Sequence, residues 1–178
     1  MKKTITIFGS SRPNEGEAEY DTAYNLGRLL AQKGFDVCTG GYQGIMNAVS
    51  RGAAENGAEA IGITIEGWGV VPSKYLTKEI KCASLNERLE KLVSAGDAYV
   101  VLQGGTGTLL ELALVWELIN KRMLKIKPIA SHSVMWKEIA AIIDKQLTIE
   151  KRVAGLIRNF STPEEIADYL YHSLKEND

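Results

Sequence analysis

Cysteine, histidine and net charge are all scarce in this chain, and each shortage narrows what it can be. Its 178 residues include two cysteines, Cys38 and Cys82, and two histidines. The cysteines have no C-x-x-C spacing, which argues against a disulfide framework or a structural zinc site and fits reduced thiols in a cytoplasmic chain. His132 has no His, Cys or carboxylate at ligand spacing, so it reads as a loop or cap residue and no metal site is expected. A formal net charge of −1 leaves no electrostatic footprint for DNA, RNA or an anionic membrane. Any nucleotide must therefore be held locally. The opening MKKTITIFG carries an apolar patch of only about five residues, short of a signal-peptide core or a membrane span, and it reads as a mature cytoplasmic start. No linker, low-complexity run or repeat interrupts the chain, and its length suits one domain over 1–178 with a substantial core.

What is present is an alternation of strand and helix. Thr4 to Gly9 reads as a strand, Glu17 to Lys33 as a helix stopped by Gly34, and Phe35 to Thr39 as a second strand. A helix with a narrow, small-residue face resumes at Ile45 and closes at Asn56 and Gly57. Ala58 to Ile65 and Lys78 to Ala83 are further strands, joined by a loop from Glu66 to Ser73, and Ser84 with Glu87 has the form of a capping box at the next helix start. Ala98 to Leu102 is a strand, and Leu109 to Met123 a helix apolar nearly all round, which suits a buried or subunit-facing position. Lys125 to Ala130 is a strand and Val134 to Gln146 a helix; Lys151 to Asn159 reads as an edge strand or a short helix, and Ser161 to Glu165 opens the last helix with Pro163 near its first turn. Such alternation predicts an α/β fold, a doubly wound, Rossmann-like parallel sheet with helices on both faces. Right-handed connections would bring four turns to one sheet edge: Gly9–Arg12, Gly40–Gly44, Ser84–Arg88 and Gly104–Glu111.

The turn after Ala98–Leu102 organises the rest. Gln103, Gly104, Gly105, Thr106, Gly107 and Thr108 cannot continue a strand, and strand, glycine turn, helix aims backbone N–H groups at an anion. The turn lacks the Lys and Ser/Thr of a P-loop and the spacing of G-x-G-x-x-G, which weakens ATPase and dehydrogenase readings. Thr108 and Glu111 allow two readings, a capping box or a carboxylate in a site. At the other turns, Gly9, Ser10, Ser11 and Arg12 suit either phosphate or a helix cap, and Gly40, Gly41 and Gly44 repeat the glycine pattern. Arg88 sits in the first turn of its helix against the macrodipole and needs an offset, either a salt bridge to Glu87 or Glu90 or a shared anion. Met46 reads as core, and Trp68 either packs on its own loop or stacks on a base.

The segment GGTGTLLE resembles the PGGxGTxxE signature of the LOG (Lonely Guy) family, whose members are nucleoside 5′-monophosphate phosphoribohydrolases. IFGSSRP at 7–13 is similar to that family's first turn and TGGYQGIMNAVSRGAAENG at 39–57 to its second, and Arg88 lies where the family carries its functional Arg. The resemblance covers roughly residues 4–130. It implies N-glycosidic hydrolysis of a purine nucleoside 5′-monophosphate, with Arg88 and Glu111 catalytic. Gly9, Ser10, Ser11, Gly40, Gly41, Gly44, Gly104, Gly105, Thr106, Gly107 and Thr108 would bind the phosphorylated substrate, with no metal or other cofactor required. It also implies a homodimer or higher homo-oligomer whose ligand is a small nucleotide or phosphorylated cofactor, not nucleic acid or membrane. Gln103, Leu89 and Leu110 depart from the pattern. They keep open a second function, that of the similar molybdenum cofactor carrier proteins, which bind without hydrolysing.

Overall fold

The computed structural model describes residues 2–175. The elements run β1 (Thr4–Phe8), α1 (Ala18–Gln32), β2 (Asp36–Thr39), α2 (Ile45–Ala54), β3 (Ala60–Ile65), β4 (Lys78–Cys82), α3 (Leu85–Ala95), β5 (Ala98–Val101), α4 (Thr106–Asn120), β6 (Ile129–His132), α5 (Val134–Ile149), β7 (Ile157–Phe160) and α6 (Pro163–Lys175). Among the described residues, seven strands form one sheet in the order β4-β3-β2-β1-β5-β6-β7, and every pairing is parallel. The winding reverses beside β1, so its carboxyl end and that of β5 flank the crevice expected at such a switch point.

Strand alternation builds two cores from one sheet. Ile5, Ile7, Ala98 and Val100 point to one face, where α1, α2 and α6 add Leu26, Leu30, Val49, Ile166 and Leu170. Phe8, Tyr99 and Val101 point to the other, against Leu92 of α3, Leu112 and Val115 of α4 and Trp136 of α5. Both faces are covered, as a parallel sheet requires. Helices α1 and α2 approach so closely that a Cβ on Gly27 would lie 2.3 Å from the Val49 carbonyl oxygen, and one on Gly52 2.1 Å from that of Tyr24. The small residues of α2 therefore serve the neighbouring helix as well as the sheet. Among the described residues no helix is long and apolar enough to cross a membrane.

Several boundaries differ from the sequence expectation. Helix α4 begins at Thr106 rather than Leu109, because the Gly105 carbonyl already accepts the Leu109 N–H at 2.9 Å; a glycine at the second helical position costs only about 1 kcal/mol. Strand β6 begins at Ile129, not Lys125, since the first ladder contact is the Pro128 carbonyl accepting Tyr99 N–H at 2.9 Å. His132 consequently ends a strand, with Nε2 3.1 Å from the Ser161 carbonyl oxygen. Of the two readings of 151–159, the edge strand is observed, but only over Ile157–Phe160, as β7. The Ser84 cap forms, its hydroxyl accepting Glu87 N–H at 3.2 Å, while the Glu87 carboxylate reaches one residue further back to Ala83 N–H at 2.7 Å.

Candidate active site

The carboxyl ends of β1 and β5 are tied together before any ligand is considered. Leu102 N–H donates to the Phe8 carbonyl at 2.9 Å, Ser10 N–H to the Gln103 carbonyl at 2.8 Å, and Ile45 N–H to the Ser10 carbonyl at 2.8 Å. Trp136 fixes the β5 end from below, its indole N–H donating to the Leu102 carbonyl at 2.8 Å. Over these joined turns lies a cleft of roughly 510 Å³, lined among others by Ser10, Arg12, Arg88, Thr106, Thr108 and Glu111. That volume is ordinary for a small-molecule site.

Glu111 faces Arg88 across the floor of the cleft, Oε1 to Nη1 3.4 Å, with side chains only 12% and 7% exposed. The T-x-x-E cap is thereby excluded: α4 is capped at Gly105, so Thr108 is the third residue of its first turn and Glu111 lies a turn further in. Arg88 does not use Glu87 or Glu90 as its offset. Its Nε donates to the Ile63 carbonyl at 2.8 Å and its Nη2 to the Gly40 carbonyl at 3.2 Å, and Glu87 bonds Lys91 instead. Two backbone carbonyls from β3 and the β2 turn thus anchor a buried cation, and the Tyr42 ring lies 5.8 Å from it. Burial pushes the Glu111 carboxyl up to about 7, against the pull of the Arg88 guanidinium. A carboxyl poised there exchanges its proton near neutral pH, which suits an acid–base role.

The residues named from sequence fall into two groups. Gly9, Ser10, Ser11, Gly105, Thr106, Gly107 and Thr108 line the cleft beside Arg88 and Glu111. The N–H groups of Thr106, Gly107 and Thr108 have no carbonyl four residues back within α4, so this end of the cleft is a donor array backed by a helix dipole. Gly40, Gly41, Gly44 and Gly104 do not line it. The Gly40 carbonyl holds Arg88, the Gly41 carbonyl accepts Ser73 N–H at 2.9 Å, and Gly44 abuts the Ser10 and Ser11 backbone. Gly104 lies under Thr108, whose Oγ1 would be 2.1 Å from an added Cβ. Met46, read as core, is 8% exposed yet also lines the cleft. Tyr42 went unnoticed in the sequence; its only signal is an aromatic set among the turn's glycines.

A model of the SLOG cluster4 family matches residues 2–157. The chain belongs to the SLOG cluster4 family. Relatives of this SLOG chain bear out the motif resemblance. A probable cytokinin riboside 5′-monophosphate phosphoribohydrolase from Oryza sativa subsp. japonica is 30% identical over 80% of this chain and 60% of its own length. A cytokinin riboside 5′-monophosphate phosphoribohydrolase from Rhodococcoides fascians is 27% identical over 60% of this chain and 56% of its own. The chain thus spans little more than half the length of these two relatives. The fold is shared with the molybdenum cofactor carrier protein of Chlamydomonas reinhardtii, at a TM-score of 0.79 and 20% identity over 98% of this chain and 99% of that one. It is shared equally with the molybdenum cofactor binding protein of Rippkaea orientalis, at 0.78 and 23% over 98% of each.

Proposed function

We propose that the protein hydrolyses the N-glycosidic bond of a purine nucleoside 5′-monophosphate, giving the free base and ribose 5-phosphate. The observation that carries this reading is the Arg88–Glu111 pair on the cleft floor, next to the N–H groups that open α4 and have no carbonyl partner within that helix. Phosphate binds the N–H and hydroxyl donors of 105–108, with Ser10, Ser11 and Arg12 opposite. That placement brings the ribose over Glu111. As the bond to the base stretches, positive charge develops on the sugar, and a fixed carboxylate in a site of low polarity stabilises it or takes a proton from the attacking water. Water supplies the hydroxyl at the anomeric carbon, and the base leaves with the proton. Arg88 positions the Glu111 carboxylate and favours its ionised form.

A second reading, binding of a nucleotide or molybdenum cofactor without turnover, draws on three side chains and on the carrier proteins that share the fold. Leu89 is buried in α3 and Leu110 is 45% exposed on α4, so neither adds charge beside the pair, and Gln103 is engaged through its carbonyl in the tie to Ser10. One product assay over a panel of nucleoside 5′-monophosphates separates the readings. Hydrolysis yields base and ribose 5-phosphate in equal amounts, whereas a raised melting temperature with intact ligand after long incubation supports the carrier.

The expected homodimer has a surface suited to it. Leu109, Ile143 and Leu147 line an apolar groove between α4 and α5, which also holds Trp116 and Asn120, and the Trp116 indole N–H and Asn120 Oδ1 are buried there without a partner. Sedimentation of the native chain should give a dimer, and Ile143→Asp a monomer; a native monomer contradicts it.

A further inference from the structure

The cleft is lined by polar groups that the proposed chemistry uses and by apolar side chains that it does not. Trp68, Val70, Tyr42 and Met46 make up the second set. Trp68 belongs to the connection from Glu66 to Thr77, which joins the parallel neighbours β3 and β4 without a helix. Both ends of that connection are pinned. Glu66 N–H donates to the Cys82 carbonyl at 2.9 Å and Ser73 N–H to that of Gly41 at 2.9 Å, while Gln43 Nε2 donates to the carbonyls of Val71 at 3.0 Å and Pro72 at 3.3 Å. Trp68 itself stands between Gly67 and Gly69, whose φ of 72° and 70° few other residues adopt.

The placement of this indole differs from that of the other two. Trp136 is 1% and Trp116 6% exposed, whereas Trp68 is 52% exposed. It does not fold back as a core side chain. Its edge meets the Tyr42 ring at 5.4 Å and 70°, and Tyr42 is held in turn by its hydroxyl accepting Ile65 N–H at 2.8 Å. Because Tyr42 also lies against the Arg88 guanidinium, the indole is registered to the Arg88–Glu111 pair through one rigid ring. A half-exposed aromatic in the wall of a cleft that also offers phosphate donors matches a ligand with a phosphorylated part and a flat heteroaromatic part.

We propose that Trp68 is the specificity-determining residue of this cleft, stacking its indole on the purine ring and so distinguishing a base-bearing nucleotide from ribose 5-phosphate. The proposal rests on the reading above only in placing a purine nucleoside monophosphate in this cleft; it holds whether or not the bond is cut. The test uses the full chain carrying Glu111→Gln, which keeps the nucleotide intact, and measures AMP and ribose 5-phosphate affinity by calorimetry with Trp68 present, Trp68→Phe or Trp68→Ala. AMP affinity should fall roughly tenfold in Trp68→Ala, within the range for loss of one base–aromatic stack, and only about threefold in Trp68→Phe. Ribose 5-phosphate affinity should stay the same in all three, and AMP but not ribose 5-phosphate should quench the indole fluorescence of the Trp68 protein. Equal AMP affinity with and without Trp68, a parallel loss for both ligands, or no AMP binding at all would overturn the proposal. Binding of AMP that depends on Trp68, with no base released by the native chain, would refute hydrolysis and leave the stacking role standing.

Discussion

Two glycine-rich turns at the same sheet edge, 40–44 and 104–107, look alike in sequence and do opposite things. In the first, the space a side chain would fill is taken by the protein itself. A Cβ at Gly40 would lie 1.8 Å from Arg88 Nη2, and one at Gly44 2.4 Å from the Ser10 carbonyl oxygen. In the second, Gly104 is closed in the same way by Thr108, but Gly105 and Gly107 have nothing within 4 Å of that position, and both line the cleft. Glycine admits a close neighbour in either case; what differs is whether that neighbour is part of the chain. The first turn is scaffold that seats Arg88, and the second opens onto the cleft. This difference is why 105–108, and not 40–44, carry the proposed phosphate contacts.

The largest effect should come from closing the scaffold turn. Gly44 has φ 67°, so Gly44→Ala adds left-handed strain to a backbone clash, and urea unfolding should show a loss of about 3 kcal/mol. An unchanged midpoint would mean that the turn is not packed as described. Next, Gly40→Ala should push the guanidinium aside. Base release should drop about a hundredfold, the scale expected for a misplacement of about 1 Å, while phosphate affinity changes far less. If both fell together, the two turns would not be separable.

The raised Glu111 carboxyl gives a smaller effect with a defined sign. Below its ordinary value of 4.5 the group is protonated in folded and unfolded chains alike, and Glu111→Gln should match the native stability. Between 4.5 and about 7 the unfolded chain ionises while the folded one holds its proton, so the native protein loses stability relative to the variant as pH rises, and the loss levels off above about 7. At pH 8 the variant should be more stable by on the order of 2 kcal/mol. A difference independent of pH would count against burial of the carboxyl. Base release, which needs the ionised carboxylate of the folded protein, should instead rise as pH passes about 7. Smallest of all, Gly107→Ala should stabilise α4 by up to about 1 kcal/mol, since alanine is the better helix former and nothing blocks it, yet weaken nucleotide binding by placing a methyl in the cleft.

Much of this was legible in the chain. The strand and helix order, the parallel sheet and the shared edge of the turns follow from apolar periodicity and glycine punctuation, which are local signals. The start of α4 was not, because glycine and threonine are poor helix formers and the Gly105 carbonyl overrides them. Nor was the role of Gly40. Its carbonyl is needed by Arg88, 48 residues away, a pairing no local pattern announces. Arg88 and Glu111 were found through motif resemblance, whereas their contact, the Ile63 anchor and the Tyr42–Trp68 rings exist only once β2, β3 and α3 are assembled.

The central claim is that the Glu111 carboxylate acts on a phosphorylated ribose held at the open turn. Steady-state release of free base from a purine nucleoside 5′-monophosphate, compared between the native chain and Glu111→Ala at matched melting temperature, tests it most directly. The account predicts release by the native chain, with one ribose 5-phosphate per base, and a fall to background in the variant. Equal release by both proteins, or none from the native chain with any purine monophosphate, would contradict it.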